Sequence, residues 1–258
     1  DWDNPYLTLK NRYISSAWFT FKTAFEKGFL YKGLYPVHIC PVCETAVAYN
    51  EIIYNKMSDP SIFVKFPVKG KKNEYLLIWT TTPWTLLANT GIMVHPKEEY
   101  VKVKVMNHRE NKEETLIMGK PLVENIMGEQ EFKITETFKG KKLENIEYLN
   151  PLKDQIHFLE EIVEGKFKGY RVVMSEQFVS MEEGSGLVHC APGHGREDYK
   201  VGVDNNLPVV SHIKLNGKLD DACGKFAGLS ARNANSAIID ELEELGALFY
   251  QEKIIHDY

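Results

Sequence analysis

Two segments carry the side chains whose types and spacing could do chemistry. The first, residues 79–89, places four threonines and two tryptophans around Pro83. Because Pro83 lacks the N–H that a strand ladder needs, the chain must turn there and present hydroxyls and backbone amides at a strand end. The same pattern predicts a helix start, with Thr82 as N-cap and Pro83 at the first helical position. Both interpretations can hold together, since a helix N-terminus itself attracts anions and polarised oxygens.

The second segment, residues 183–199, runs from a glycine-flanked strand through a Gly/Pro-rich turn into a predicted helix. His189 lies on the strand, and Asp198 falls in the first turn of the helix. That carboxylate could bind a cation or merely interact with the helix dipole. Cys190 beside His189 also suggests a Cys-His-Asp hydrolase. Successive strand residues point to opposite faces, however, so we predict Cys190 to be a small buried residue instead.

Together these segments resemble the editing domain of isoleucyl-tRNA synthetase, the connective-polypeptide insertion of that class I synthetase. The resemblance is carried by W-T-T-T-P-W-T-L at 79–86 and by G-[ST]-G-x-V-H-x-A-P-x-x-G-x-E-D at 184–198. It extends to D-W-D-N-P-Y at the start and C-P-V-C-E-T at 40–45, and it spans residues 1–258. The family more often has proline at Leu87 and threonine at Ser185. Valyl and leucyl relatives have P-A-H-D where this chain has P-G-H-G, which favours the isoleucyl branch.

The resemblance implies a hydrolase of mischarged tRNA. One methylene is worth only about 1–3 kcal/mol of discrimination, a limit for which isoleucyl-tRNA synthetase is the standard example, so valine must be removed at a second site. The implied reaction is post-transfer editing, the hydrolysis of valyl-tRNA(Ile) to valine and uncharged tRNA. No aminoacylation site is expected in this chain, because H-I-G-H is absent and the K-M-S-D at 56–59 lacks the second lysine of K-M-S-K-S.

The resemblance also implies the roles of the site residues. Thr80 and Thr82 hold the terminal ribose and carbonyl and orient a water, and Asp198 binds the substrate ammonium. An aminoacyl ester is already activated, so the site needs positioning and charge stabilisation, with no cofactor, metal or covalent intermediate. His189 and Thr85 form the floor of the side-chain pocket, and backbone groups near Trp84 and Asn89 help to hold the terminal base. The residues implied in substrate binding are Thr81, Trp84, Thr85, Asn89 and His189.

Hydrophobic periodicity predicts the elements that position these residues. The apolar pattern within 11–30 predicts an amphipathic helix that ends at Gly28. A short helix is predicted at 120–127 and another at 230–245, between Ser230 as N-cap and Gly246. The predicted fold class is α+β, a mixed, barrel-like β domain with peripheral helices on a short helical and β-ribbon stalk. The predicted strands cover 62–66, 75–79, 100–105, 132–134, 170–174, 186–191 and 208–213.

We expect three segments in a chain that is part of a longer protein. Residues 1–55 are predicted to form a stalk to a catalytic domain, 56–250 the editing domain, and 251–258 the return stalk. The aromatic face of the first helix is expected to pack on that catalytic domain, since such a face is rarely left exposed.

Composition limits the partners. The chain has 43% hydrophobic and 26% charged residues and no apolar run of the roughly 20 residues that a membrane span needs. A net charge of −5 means that the tRNA(Ile) 3′ end carrying valine must dock on a local basic patch. The candidates, which fit solvated turns equally well, are the lysine runs at 69–72 and 139–142 with Lys166, Lys168 and Arg171. Four cysteines predict a reducing, cytoplasmic location, and we expect a monomer.

Cys40 and Cys43 form half of a zinc site, which needs four ligands, so no bound metal is expected in this chain. In related synthetases a second such pair follows the stretch resembling residues 256–258. Two alternatives to the isoleucyl interpretation stay open. One is the editing domain of valyl-tRNA synthetase acting on threonyl-tRNA(Val). The other is a non-catalytic tRNA-docking module in which the threonines only shape a strand end.

Overall fold

The computed structural model describes residues 3–109, 111–156 and 169–257, so Lys166 and Lys168 lie outside the described residues. The chain forms two compact units, Asp1–Tyr35 and Pro36–Tyr258. The first contains helix α1, Asn11–Glu26, which ends before Gly28 (φ 74°) and confirms the predicted helix. Several of its aromatic side chains are exposed, among them Trp18 at 68%. No helix in the described part of the chain is long and apolar enough to cross a membrane.

The second unit holds strands β1–β11 and helices α2–α4. The strands are β1 Ile39–Cys40, β2 Thr45–Ala46, β3 Lys56–Pro67, β4 Glu74–Thr80, β5 Gly91–Val94, β6 Glu99–Asn107, β7 Lys112–Gly119, β8 Phe132–Lys139, β9 Arg171–Met174, β10 Leu187–Cys190 and β11 Leu248–Asp257. The helices are α2 Val123–Met127, α3 Arg196–Asp204 and α4 Ala231–Glu244, with short 3-10 helices that include Pro83–Ala88 and Asp221–Phe226.

Nine of these strands form one mixed sheet that curls into a half-barrel. Its order is β8-β6-β7-β4-β10-β5-β9, with β3 pairing both β4 and β11, while β1 and β2 form a separate hairpin. The core is centred on β4, where Leu76, Leu77 and Ile78 are all fully buried. Such a continuous apolar run is typical of a strand covered on both faces. This architecture confirms the predicted α+β, barrel-like class.

Strands β3 and β11 extend beyond the rest of the sheet as a two-stranded ribbon. Residues 62–67 of β3 pair with β4, whereas residues 56–61 pair with β11 alone among the described strands. The predicted return segment 251–258 lies, as far as Asp257, in β11. The domain boundary at residue 55 stays a prediction.

One predicted strand is wrong. Residues 208–213 form no ladder, and only Ile213 makes an isolated bridge, to Leu219. Pro208 has no N–H to donate, and its carbonyl accepts a hydrogen bond from the Thr90 hydroxyl at 3.1 Å. The segment is therefore a loop packed against the sheet rather than a member of it.

A buried ion pair links β3 to β7. Lys65 Nζ lies 2.8 Å from Glu114 Oε2, and both side chains are at most 5% exposed. Asn107 donates a further hydrogen bond to Glu114 Oε1 at 2.9 Å. The charges are thus well paired, and removing either partner would leave the other buried without compensation.

We predict that Lys65→Met or Glu114→Leu alone lowers the free energy of unfolding by about 3–5 kcal/mol, while the double variant recovers most of that loss. Urea unfolding of the four proteins measures the coupling. Lys69→Met is the matched control, because Lys69 pairs with Glu147 at the surface and should cost no more than about 1 kcal/mol. Additive losses in the double variant would contradict the prediction.

Candidate functional site

Parallel pairing of β4 with β10 brings the two polar segments together. Val188 of β10 lies opposite Trp79 of β4 in the parallel ladder. Parallel strands present their carboxyl ends at the same edge of a sheet. The turn that follows Thr80 and the turn that follows Cys190 therefore start side by side, although more than a hundred residues separate them in the chain.

The threonine segment forms a turn that leads into the 3-10 helix Pro83–Ala88. Thr80, at the end of β4, is buried. Its hydroxyl oxygen accepts a hydrogen bond from the Thr82 N–H at 3.0 Å. Thr82 occupies the N-cap position as predicted, but its hydroxyl caps no backbone N–H of that helix. The hydroxyls of Thr81 and Thr82 lie 3.5 Å apart on half-buried side chains. Neither hydroxyl makes a hydrogen bond to the backbone of the described residues.

His189 meets this turn through Thr85. Its Nε2 lies 3.1 Å from Thr85 Oγ1, and the Thr85 hydroxyl donates to the carbonyl oxygen of Thr82 at 2.7 Å. Since that hydroxyl has one proton, Nε2 must be the donor, which leaves Nδ1 as a lone-pair acceptor. Nδ1 is buried and has no hydrogen-bond partner among the described residues. Burial, with a smaller contribution from His194, lowers the pKa of His189 to about 4, so the ring is neutral at pH 7.

Asp198 lies in the first turn of α3, as predicted, and faces back toward β10. Its Oδ2 accepts a hydrogen bond from the Ala191 N–H at 2.9 Å, and no hydrogen bond of the described residues occupies Oδ1. Burial raises the pKa of Asp198 to about 6; the Ala191 N–H opposes this shift, and the neighbouring Glu197 adds to it. The carboxylate is therefore held in place but poorly compensated, which suits it to a cationic partner.

Two glycines allow the chain to fold this closely. A Cβ on Gly193 would lie 1.8 Å from the carbonyl oxygen of Val210, because the turn packs backbone to backbone against the following loop. A Cβ on Gly195 would lie 3.2 Å from Asp198 Cγ. The glycines thus let the carboxylate approach the turn that holds it.

The sequence did not indicate two further residues of this site. His194 packs edge-on against Trp84 with ring centroids 4.8 Å apart, and burial lowers its pKa to about 4. Asn235 of α4 accepts a hydrogen bond from the Trp84 N–H at 3.0 Å. His194 could have been suspected from its place in the turn, but nothing in the sequence links Asn235 to Trp84.

The Asn89 side chain is engaged in the core. It is fully buried, and its amide donates to Gly91 O at 2.8 Å and accepts from the Tyr148 hydroxyl at 2.7 Å. Both ends of the side chain are used within the core, so we assign Asn89 a structural role. Cys190 is buried as predicted, with its thiol 3.5 Å from the Asp198 carbonyl oxygen and its pKa raised by burial.

The remaining candidate residues lie away from the threonine turn. Cys40 and Cys43 occupy the turn between β1 and β2, where the Cys43 N–H donates to Cys40 Sγ at 3.5 Å. This bond is the main cause that lowers the pKa of the Cys40 thiol. The described lysines of the runs at 69–72 and 139–142 include several paired with carboxylates. These pairs are Lys69–Glu147, Lys139–Glu99, Lys141–Glu144 and Lys142–Glu136.

Comparison with known sequences identifies the relatives. A family model of class I tRNA synthetases (I, L, M and V) matches residues 1–190. Isoleucine–tRNA ligases of Pyrococcus abyssi and Pyrococcus furiosus are 48% and 49% identical to the chain over 262 and 263 residues. Each match covers 100% of this chain and 24% of the relative, so the chain spans about a quarter of the length of the curated relatives it matches.

Comparison with solved structures identifies the fold. The crystal structure of GlLeuRS-CP1 superposes with a TM-score of 0.55 at 16% identity, covering 74% of this chain and 98% of that one. The cytosolic leucyl-tRNA synthetase editing domain of P. falciparum gives 0.50 at 10% identity, covering 75% and 99%. With the family match over residues 1–190, this likeness leads to one conclusion: the chain belongs to the class I tRNA synthetases and has the fold of their editing domain.

Proposed function

We propose that this domain hydrolyses the ester bond of mischarged valyl-tRNA(Ile). The observation that carries the proposal is the meeting of the threonine turn with the segment that runs from His189 on β10 to Asp198 on α3. The two are joined by the 3.1 Å contact of Thr85 with His189. The isoleucine–tRNA ligases that match the whole chain support the choice of tRNA. The partners would be the tRNA 3′ end and a catalytic domain of the longer protein, and free cysteines favour a cytoplasmic location.

Asp198 binds the substrate α-ammonium in this proposal. One of its oxygens is fixed by the Ala191 N–H, and the other is available for a charge-assisted hydrogen bond. Both nearby histidines, His189 and His194, are neutral at pH 7, so they do not repel the ammonium. The unpartnered Nδ1 of His189 offers a second acceptor for a substrate N–H or O–H.

The threonines position the ester and the attacking water. The Thr80 oxygen accepts a hydrogen bond from the Thr82 N–H, so the Thr80 hydroxyl can still donate its proton to substrate. The Thr82 hydroxyl does not cap the helix and can also donate. These donors would hold the terminal ribose and the carbonyl oxygen where negative charge develops during attack. Since the ester is already reactive, such positioning suffices as the source of the rate enhancement.

The Thr85–His189 pair limits the length of the side chain that enters. Both residues are less than 10% exposed, and their mutual hydrogen bond prevents either from moving aside independently. A pocket closed by this pair would accept valine and exclude the additional methylene of isoleucine. Trp84, packed on His194, would shield one side and contact the terminal adenosine.

The isolated chain can be tested directly against both rivals. It should deacylate valyl-tRNA(Ile) and leave isoleucyl-tRNA(Ile) intact. Preferential hydrolysis of threonyl-tRNA(Val) over the valine ester would instead support the valyl-type domain. Tight tRNA binding without hydrolysis of any ester would support the docking module.

We predict that Asp198→Ala lowers the rate of valyl-tRNA hydrolysis at least about a hundredfold. Loss of a charge-assisted hydrogen bond costs about 1.5–3 kcal/mol, and misplacement of the ester raises the barrier further. Each 1.36 kcal/mol of activation free energy lowers the rate about tenfold. Glu197→Ala is the matched control, since Glu197 lies in the same helical turn and is exposed. Equal effects of the two variants, or near-normal hydrolysis by a folded Asp198→Ala, would show that Asp198 serves only the helix dipole.

The raised pKa of Asp198 gives a second test. A carboxyl whose pKa is raised on folding favours the native state while protonated, and that contribution is lost as the pH rises from about 4 through about 6. Asp198→Asn should therefore be at least as stable as the parent at pH 7, although it hydrolyses nearly as poorly as Asp198→Ala. The catalysed rate of the parent should fall as the pH drops through about 6. Thermal melts and rates measured between pH 5 and pH 8 test both expectations; a destabilised Asn variant would contradict them.

We also predict that Thr80→Ala with Thr82→Ala abolishes deacylation while the domain stays folded. The lost hydroxyls contribute about 1–2 kcal/mol to stability, mainly through the acceptor for the Thr82 N–H. Thr80→Ser with Thr82→Ser keeps both hydroxyls and should retain most of the activity. Parent-like hydrolysis by the alanine variant would mean that the threonines are structural only.

If His189 and Thr85 limit the length of the bound side chain, His189→Ala should allow hydrolysis of correctly charged isoleucyl-tRNA(Ile). Thr85→Ala should do the same, because each removes volume at the pocket floor. Thr85→Val keeps the volume but loses the hydrogen bond to His189, so it should hydrolyse isoleucyl-tRNA(Ile) more slowly than either alanine variant. If neither alanine variant deacylates isoleucyl-tRNA(Ile), the pair does not line the side-chain pocket.

A further inference from the structure

Three metal-ligating side chains converge outside the proposed editing site. His212, Asp220 and Cys223 offer a ring nitrogen, carboxylate oxygens and a thiol that all lie within 4.8 Å of one another. It is the one group of three or more such side chains found in the described part of the chain. His212 and Cys223 are buried, while the Asp220 side chain is 31% exposed and gives the cluster an opening to solvent.

Two of the three distances within the cluster are close to those between ligands of one tetrahedral zinc ion. His212 Nδ1 lies 3.2 Å from both carboxylate oxygens of Asp220, and Cys223 Sγ lies 3.8 Å from Asp220 Oδ1. With zinc–ligand bonds of about 2.0–2.3 Å, the edges of the tetrahedron are about 3.3–3.6 Å. The third pair, His212 and Cys223, lies within 4.8 Å, so side-chain movements would have to bring these two ligands closer together on the ion.

The backbone holds these ligands in place. The Asp220 N–H donates to the His212 carbonyl oxygen at 2.9 Å, across the turn closed by the Ile213–Leu219 bridge. Asp220 also caps the 3-10 helix Asp221–Phe226 by accepting from the Ala222 N–H at 3.0 Å. Cys223 follows within that helix, so one short loop and one helical turn fix all three ligands.

Charge balance favours a divalent ion at this place. A carboxylate, a thiolate and a neutral imidazole together carry two negative charges, which a divalent cation neutralises in a mostly buried setting. Binding would release the Cys223 thiol proton to solvent and move the His212 proton from Nδ1 to Nε2, so that Nδ1 can coordinate. The mixture of thiolate and imidazole suits zinc among the common divalent ions.

We propose that His212, Asp220 and Cys223 form a zinc site with three protein ligands and a water at the fourth position. The loop between α3 and α4 has little regular structure, and its Val210 packs directly against Gly193 of the turn that leads to Asp198. Zinc would hold this loop in place and so support the turn. The proposal does not depend on the editing reaction, since it concerns binding and stability.

Zn²⁺ and Co²⁺ titrations of the metal-free chain test the proposal. Cys40→Ser with Cys43→Ser provides the background, because that pair could bind metal independently. We expect one Co²⁺ per chain in this background, with a thiolate-to-cobalt absorption band and a rise in melting temperature on addition of Zn²⁺. Cys223→Ala should lose both signals, whereas Cys190→Ala, which removes another buried thiol, should keep them.

Asp220→Asn is a second variant that should fold normally, because the asparagine amide oxygen can still accept the hydrogen bond from the Ala222 N–H. It should weaken metal binding by more than the roughly 10–100-fold that is typical when an outer hydrogen-bonding partner of a ligand is lost. Absence of stoichiometric binding in the background protein would overturn the proposal. So would binding that is unchanged by both Cys223→Ala and Asp220→Asn, because the cluster would then be a hydrogen-bonded cap and nothing more.

Discussion

The parallel ladder between β4 and β10 is the constraint on which the rest of the site depends. It sets the ends of two distant strands at one edge of the sheet, so that the turn after β4 lies beside His189 at the end of β10 and Asp198 at the start of α3. On its other side β10 pairs antiparallel with β5, which places His189 opposite Ile92. A slip of one residue would turn His189 to the opposite face. The two neighbouring strands therefore fix which side chains the site receives.

The candidate site combines buried and half-buried ionisable groups, of which only the carboxylate is charged at pH 7. Burial keeps His189 and His194 neutral at pH 7 and destabilises the Asp198 carboxylate, whose pKa rises to about 6. Such an arrangement reduces the stability of the empty domain, as is common where function requires an uncompensated charge. A bound ammonium would offset that destabilisation. The loss of stability of the empty domain and the proposed affinity for an ammonium group thus have the same cause, the poorly solvated carboxylate of Asp198.

Local patterns predicted most of the fold and part of the site. The helices at 11–26 and 231–244 and the long apolar strands followed from periodicity and caps, whereas β5 and β7 were missed because one is short and the other begins with charged residues. Thr80, Thr82, His189 and Asp198 lie in two distinctive motifs. The Asn89 side chain is hydrogen-bonded within the core, as a polar residue in a motif can be, and a role of Asn89 in substrate binding stays a prediction. Asn235 acquires its neighbour Trp84 only through a tertiary contact, whereas His212 and Cys223 meet Asp220 through a short irregular loop that no periodicity or cap pattern predicted.

In the proposed complex one aminoacyl ester lies between the threonine turn and Asp198. A crystal structure of this chain with a non-hydrolysable valyl-adenosine analogue would show whether it does. We predict the α-ammonium against Asp198 Oδ1, the valine side chain against His189 and Thr85, and the ribose and carbonyl beside Thr80 and Thr82. An analogue bound elsewhere on the domain, or bound with its ammonium away from Asp198, would contradict the proposed editing site.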